Sequence, residues 1–391
     1  MRATLLGLGV TALLSLATAA ASWHGSPLRA GAPERSDLPS TVFLAAAGCA
    51  FALYLGALVL LRRPRVGLAT VCALAAAIQL VPLAGPLLLS RDVFAYWDYG
   101  RLTAAHDANP YSVPPARFAR DPAERAMSPA WRHADSVYGP VFTSASAGLA
   151  LAGGRSSESA AFGYRLLAAA GMLALVALAA VVAPLPAFAA AFVGWNPLLA
   201  LDFAGGGHND VWMMVLVLGG LALAAARPRL AGVSWALAAG VKWIAVALLP
   251  LQLLGGRRRE ALRGLLGFAV TTAAIAAVAW LLFGTAWVTA LGPFGHLTAG
   301  WAVPSRLAGA GLPRWLALAP LVLALPLLLR SARAGRPRLA ATTGLLLVAS
   351  PWLLPWYAVW AVPLAAVEED RAAWALTLGL CAYLLPDRIP F

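Results

Sequence analysis

Runs of about 20 apolar residues, repeated from one end of the chain to the other, leave it few ways to fold. A run of that length is enough to cross a hydrocarbon core roughly 30 Å thick. A backbone inside that core satisfies its polar groups only as a helix or a closed barrel. The runs are Ala3 to Ala21, Thr41 to Leu61, Val66 to Leu89, Ala160 to Ala183, Ala187 to Phe203, Val211 to Ala226, Leu262 to Phe283, Leu312 to Leu329, Leu339 to Ala349, Trp356 to Val367 and Ala372 to Leu385. None shows the alternation of a barrel strand. Only 12% of the residues are charged, 61% are hydrophobic, and the mean hydropathy is +0.78. The expectation is an all-α polytopic membrane protein, one integral domain over residues 1–391. The start, Met1-Arg2 followed by apolar residues and small ones near Ala19 to Ala21, has the outline of a signal peptide. It is read as an uncleaved first helix.

The net charge of +13 would suggest nucleic acid in a soluble chain. Here most arginines sit in short loops between apolar runs, which is the pattern that orients membrane proteins. No basic, aromatic-interleaved soluble module is present, so nucleic acid is not an expected partner. Cys49, Cys72 and Cys381 lie in apolar runs without CxxC or metal spacing. They read as small core residues, and no metal site is expected.

Arginine placement predicts the topology. Arg62-Arg63-Pro64-Arg65, Arg227-Pro228-Arg229, Arg257-Arg258-Arg259 with Arg263, and Arg330, Arg333, Arg336 and Arg338 all ask to be cytoplasmic. The polar stretch 90–140 then lies outside, and Val141 to Leu151 reads as a helix along the outer surface. Two cytoplasmic loops flank Leu230 to Leu254, which is too short for two crossings. A re-entrant hairpin over 230–254, its tip near Val241-Lys242-Trp243, resolves the parity. Broken helices of this kind line cavities. The same parity puts Gly205-Gly206-Gly207-His208-Asn209-Asp210 on the outer side, in one cavity with the polar loop.

That island is the chemically loudest part of the chain. Ionisable groups at membrane depth are costly and mark functional sites by default. The glycines allow a sharp turn or close backbone approach, and a helix starting near Asn209 would present free N–H groups to an anion beside His208. The plain alternative is Asn209 or Asp210 as a helix cap. Lys242, the only lysine, either pairs with a carboxylate or holds a phosphate. Upstream, Ser90-Arg91-Asp92-Val93-Phe94-Ala95-Tyr96-Trp97-Asp98-Tyr99-Gly100-Arg101 read as a helix puts Asp92, Tyr96 and Tyr99 on one face. Asp92 sits in the first turn, where the helix dipole favours a carboxylate, and Asp98 is expected to pair with Arg101. Asn109-Pro110-Tyr111 and Tyr138-Gly139-Pro140 read as turns. Trp356 and Tyr357, after Pro351 and Pro355, form either an interfacial aromatic belt or a surface against which a sugar or isoprenoid stacks.

Taken together, Asp92-Val93-Phe94-Ala95-Tyr96, Gly100-Arg101, Asn109-Pro110-Tyr111, Tyr138-Gly139-Pro140, Trp195-Asn196-Pro197-Leu198, Gly206-Gly207-His208-Asn209-Asp210, Lys242 and Trp356-Tyr357 resemble the multi-pass glycosyltransferases of GT-C type. They are most similar to the polyprenol-phosphomannose-dependent α-1,6-mannosyltransferases of actinobacteria, the MptA/MptB family. Arg91 departs from the second acid that family members often carry beside the first. The resemblance implies a GT-C-like bundle of about 11–13 transmembrane helices, with an extracytoplasmic loop bearing surface helices. It implies a transferase that moves mannose from a polyprenyl phosphate sugar to a glycan or glycolipid hydroxyl, with inversion, at the outer face of the plasma membrane. Asp92 is the implied general base. Tyr96, Arg101, Asn109, Tyr111, Tyr138, His208, Asn209, Asp210, Lys242, Trp356 and Tyr357 are the implied substrate-binding residues, with Lys242, Arg101 and His208 meeting the phosphate. No cofactor and no metal are implied. Rival readings are the same fold using lipid-linked glucose or arabinose, and a non-catalytic transporter or lipid-binding relative. A transporter predicts symmetric halves with paired broken helices, and no such halves are visible.

Overall fold

Prolines and glycines decide which apolar runs become long helices. The computed structural model describes residues 1–33, 37–63, 66–152, 156–289 and 297–390. Pro64 and Arg65 of the expected cytoplasmic loop lie outside the described residues. Among those described there is helix and no strand beyond an isolated bridge between Arg29 and Leu88. Five helices are long and apolar enough to cross a membrane: Arg2–Ser22, Leu38–Leu61, Ser157–Val182, Arg258–Phe283 and Arg314–Arg333. Pro186–Gly194 and Pro197–Gly205, bent by 52°, make a sixth if counted as one span. Six shorter apolar helices, Leu68–Ala84, Pro140–Ala152, Asp210–Leu223, Trp243–Gly255, Leu339–Ala349 and Arg371–Leu384, accompany them. Several runs expected to be continuous are therefore broken. Pro355 and Pro363 split the last but one into a 3-10 turn, Pro355–Trp360, and a helix, Val362–Glu368, because proline lacks the N–H and crowds the preceding turn.

Breaks free backbone carbonyls, and buried side chains take them up. Tyr54 Oη donates to the Phe192 carbonyl at 2.7 Å and Gln79 Nε2 to that of Gly194 at 3.0 Å, while Trp195 Nε1 at the bend reaches across to the Val71 carbonyl of a neighbouring helix at 3.0 Å. The Asn196 side chain caps the next turn by accepting from the backbone of Leu198. The bent span is thus locked against Leu38–Leu61 and Leu68–Leu80. One hydrophobic core runs from Ala3 to Ile389. Of the cysteines only Cys381 joins it; Cys49 is exposed and Cys72 half-buried. Outside, Arg258–Phe283 turns Leu262, Val270, Val278 and Leu281 outward, Leu281 at 78% exposure. A large apolar surface of this kind suits lipid rather than water.

The path around Lys242 positions the site. Pro228–Val241 packs along Arg258–Phe283 with Gly232 against Gly264, Gly267 against Arg229 and Gly240 beside Ile275, so the two helices run in the same direction. Because Arg258–Phe283 starts three residues after Gly255, the stretch from Lys242 to Gly255 carries the chain back. The chain reverses at Lys242, whose extended backbone (φ −152°, ψ 122°) separates the two arms. The neighbouring helix Asp210–Leu223 packs on Pro228–Val241 and opens at the Lys242 end. Arg227, Arg229 and Arg257–Arg259 gather at the opposite end.

Candidate active site

Asp92 opens the helix Asp92–His106, and its backbone N–H donates to Ser90 Oγ at 3.2 Å. Its carboxylate, one fifth exposed, faces a cavity of about 1130 Å³. Burial pushes this carboxyl above its usual range, and Arg388 is the main charge drawing it back. Asp92 is four residues from Tyr96, a little over one helical turn, so the Tyr96 ring reaches the same cavity. Tyr138 also lines it and meets Tyr96 edge-on at 5.1 Å.

The glycine island delivers His208 beneath Asp92. Leu201–Gly205 forms a π-helical turn, a device found often at functional sites. Gly207 then takes φ +76°, and a Cβ there would meet Val93 Cγ1 at 2.5 Å. Glycine is required on both counts. His208 Nδ1 comes to 3.8 Å from Asp92 Oδ2 and 3.5 Å from Tyr96 Oη. Its ring stacks on Trp356, centroids 3.6 Å apart and planes 12° apart. At 1% exposure it lies behind the cavity wall rather than in it. The expected direct phosphate contact therefore becomes a contact with the carboxylate and the tyrosine.

Asp210, fully buried, accepts from Lys242 Nζ at 2.5 Å and from Trp360 Nε1 at 2.6 Å. It sits in the first turn of its helix, where the dipole favours the anion. Lys242 Nζ lies over the rings of Tyr357 at 4.4 Å and Trp360 at 5.1 Å. Lys242, Trp356, Tyr357 and Trp360 all line the cavity. Asn209 does not cap the helix with its side chain, and its amide finds no partner among the described residues.

Three expected site residues lie elsewhere. Arg101, nine residues after Asp92, emerges half a turn round the helix at about 100° per residue. It binds Asp121 through two nitrogens at 2.7 and 2.8 Å and covers the Trp97 ring. His106 joins the same carboxylate at 2.7 Å. Burial opposes the Asp121 charge, but Arg101, His106 and the Ala123 N–H outweigh it and hold the carboxyl below its usual range. Asp98 therefore lacks the pairing expected with Arg101. Burial, then repulsion from Asp121 and Glu124, pushes it up to about 7. Asn109 makes an Asx turn to the Tyr111 N–H and donates to the Phe283 carbonyl. Tyr111 is buried and donates to the Tyr138 carbonyl at 2.8 Å. These two fasten the loop that carries Tyr138; they do not line the cavity.

Two cavity residues escaped the sequence. Trp360 lies inside an expected span and showed no sign of its bond to Asp210. Arg388 sits in a terminal Pro-Asp-Arg-Ile-Pro turn, yet its guanidinium lies 5.2 Å from the Trp356 ring centroid and lines the cavity. On the other flank the lining is apolar: Ile244, Ala247, Leu318, Leu321 and Leu346.

With this geometry in view, comparison with known sequences decides the lineage. The profile described as alpha-(1->6)-mannopyranosyltransferase, N-terminal domain, matches residues 3–255. The chain belongs to the alpha-(1->6)-mannopyranosyltransferase family. Within this mannopyranosyltransferase family, it is 27% identical over 347 residues to alpha-(1->6)-mannopyranosyltransferase A of Mycobacterium tuberculosis (strain ATCC 25618 / H37Rv). That match takes in 77% of this chain and 66% of the relative's length. No solved structure matches the chain. The mannopyranosyltransferase profile spans Asp92, the His208 island and Lys242, and ends before Trp356, Trp360 and Arg388.

Proposed function

We propose that the chain transfers a mannosyl group from a polyprenyl phosphate donor to a hydroxyl of a glycan or glycolipid, with inversion, at the outer face of the plasma membrane. The observation that carries the reading is Asp92. It is one carboxylate on the wall of a cavity whose other walls are basic, aromatic and, on one side, apolar enough for a prenyl chain. The name of the mycobacterial relative supports mannose as the sugar.

The chemistry asks for a base and an anion site. The acceptor oxygen forms a bond to the anomeric carbon while the bond from that carbon to the phosphate oxygen breaks. The bonding pair leaves with the phosphate, and the hydroxyl proton passes to Asp92. A positioned base contributes about 10²–10⁴ in rate. His208, held flat by Trp356 and set against Asp92 and Tyr96, orients the carboxylate and receives the field of its new proton. Lys242, half neutralised by Asp210, keeps donors for the leaving phosphate at the cavity wall, where charge is weakly screened. Trp356 and Tyr357 offer faces to a sugar ring. The lipid-linked sugar is a substrate, so the proposed reaction uses no cofactor.

The test is transfer by membranes carrying the chain, supplied with radiolabelled polyprenyl phosphomannose. Labelled product with an α-(1→6) linkage is the expected result. Transfer only from lipid-linked glucose or arabinose would contradict the choice of sugar, and transfer from none would contradict the reading.

A further inference from the structure

Arg388 is an exposed arginine at the cavity, held in a conformation that has to be enforced. Its φ of +64° is left-handed, unusual for a residue with a side chain. Leu89, also at the cavity and three residues before Asp92, shares this conformation at φ +58°. Strained backbone of this kind collects at ligand sites. The turn is pinned on both sides. Ile389 and Asp387 are buried, the Asp387 N–H donates to the Leu384 carbonyl at 3.0 Å, and the Ile389 N–H donates to that of Pro386 at 3.2 Å. Only Arg388 is left facing outward between them.

Its charge reaches Asp92 and Asp387 through space but is tied up in no contact ion pair among the described residues. Lys242 is joined to Asp210 at 2.5 Å. Among the described residues, no carboxylate lies within 4 Å of the Arg388 guanidinium, which lies over the ring of Trp356. The same Trp356 ring packs on His208, which touches Asp92. Arg388 and Asp92 thus line one cavity and are linked through the Trp356–His208 stack. A planar guanidinium suits two phosphate oxygens at once.

We propose that Arg388 is the principal binding group for the phosphate of the lipid-linked donor, gripping it in the ground state and after the sugar has left, with Lys242 in a supporting place. This rests on the transferase reading above and extends it to a residue outside the family profile. It predicts preference for a prenyl phosphate over the corresponding prenyl alcohol, because the guanidinium recognises the anion and not the chain.

The experiment uses the full chain in lipid nanodiscs, with binding of polyprenyl monophosphate and of polyprenol measured directly for wild type, Arg388→Gln and Arg388→Lys. Hydrogen bonds to a charged group support an expected loss of about tenfold or more in phosphate affinity for Arg388→Gln. Polyprenol affinity should be unchanged, and Arg388→Lys should restore part of the loss. Equal phosphate affinity in wild type and Arg388→Gln would overturn the assignment, as would equal losses for phosphate and alcohol. Because the readout is binding, it is independent of turnover. If wild type prefers the phosphate through Arg388 yet transfers no sugar, the transferase reading falls and the phosphate site stands. If it transfers sugar and Arg388→Gln binds normally, the reverse holds.

Discussion

Lys242→Met should damage this protein more than Asp210→Asn, although both remove one end of the same ion pair. Asp210 is fully buried and its Oδ1 is reached by Lys242 and by the Trp360 indole. Taking away Lys242 leaves a buried carboxylate with one neutral donor, and breaking a buried pair from one side costs about 3–5 kcal/mol. The opposite change is milder. An asparagine oxygen still accepts from Trp360, and Lys242, 21% exposed, keeps cavity solvent and the faces of Tyr357 and Trp360. That change should cost about 1–2 kcal/mol. The double variant leaves no uncompensated charge, so it should cost no more than Lys242→Met alone, a coupling of at least about 1–2 kcal/mol in a double-mutant cycle. Equilibrium unfolding of the purified variants in one detergent reads all four corners. Equal costs for the single variants, with a double that is their simple sum, would refute the picture of a buried anion steadied by a cavity-wall cation. In transfer assays Lys242→Met should also raise the donor KM; an unchanged donor KM would return Lys242 to a purely structural place.

Other expectations are as direct. Arg101→Ala should lower stability by about 1.5–3 kcal/mol, the cost of losing a charge-assisted bond, and leave donor KM unaltered in the folded fraction; a selective donor defect would contradict the Asp121 assignment. Asp98 titrates near 7 when folded and near 4 when unfolded. The folded state therefore holds the extra proton between those values, and stability is lost as pH rises through that window. Asp98→Asn should be the more stable protein at pH 8, with the gap closing toward pH 4; a gap that widens in acid would reverse the sign and sink the claim. Since Asp92 must be ionised to act and its carboxyl is lifted above the usual range, the acid limb of kcat/KM should lie above that range, and its position in Asp92→Glu should move. Transfer should survive EDTA if, as proposed, Arg388 and Lys242 meet the leaving phosphate; loss restored by Mg²⁺ or Mn²⁺ would contradict this.

Much of the site was legible because ionisable groups are rare in this chain. Asp92, His208, Asp210 and Lys242 stand out of apolar sequence; Asp92 and Lys242 line one cavity with Tyr96, Tyr138, Trp356 and Tyr357, and His208 and Asp210 lie buried behind its wall. Helix periodicity was enough to put Tyr96 beside Asp92. The same arithmetic, continued to Arg101, turns it away toward Asp121, a partner 20 residues on that no local spacing announces. Asn109 and Tyr111 sit in a motif of the right order but spend their hydrogen bonds on the loop and on the helices that flank it. Trp360 was hidden for the same reason, its partner Asp210 lying 150 residues away, and Arg388 because nothing local ties it to Trp356. At the level of the fold, the apolar runs announced a helical membrane bundle. They did not announce which runs would break: Pro197 follows a bend whose backbone Gln79 and Asn196 satisfy, whereas Pro326 sits inside a continuous helix.

The account stands on Asp92 as the group that takes the acceptor proton. Asp92→Asn, purified and shown to bind polyprenyl monophosphate as the wild type does, should transfer mannose at least about 10²-fold more slowly from polyprenyl phosphomannose. Wild-type turnover by that folded, donor-binding variant would contradict it.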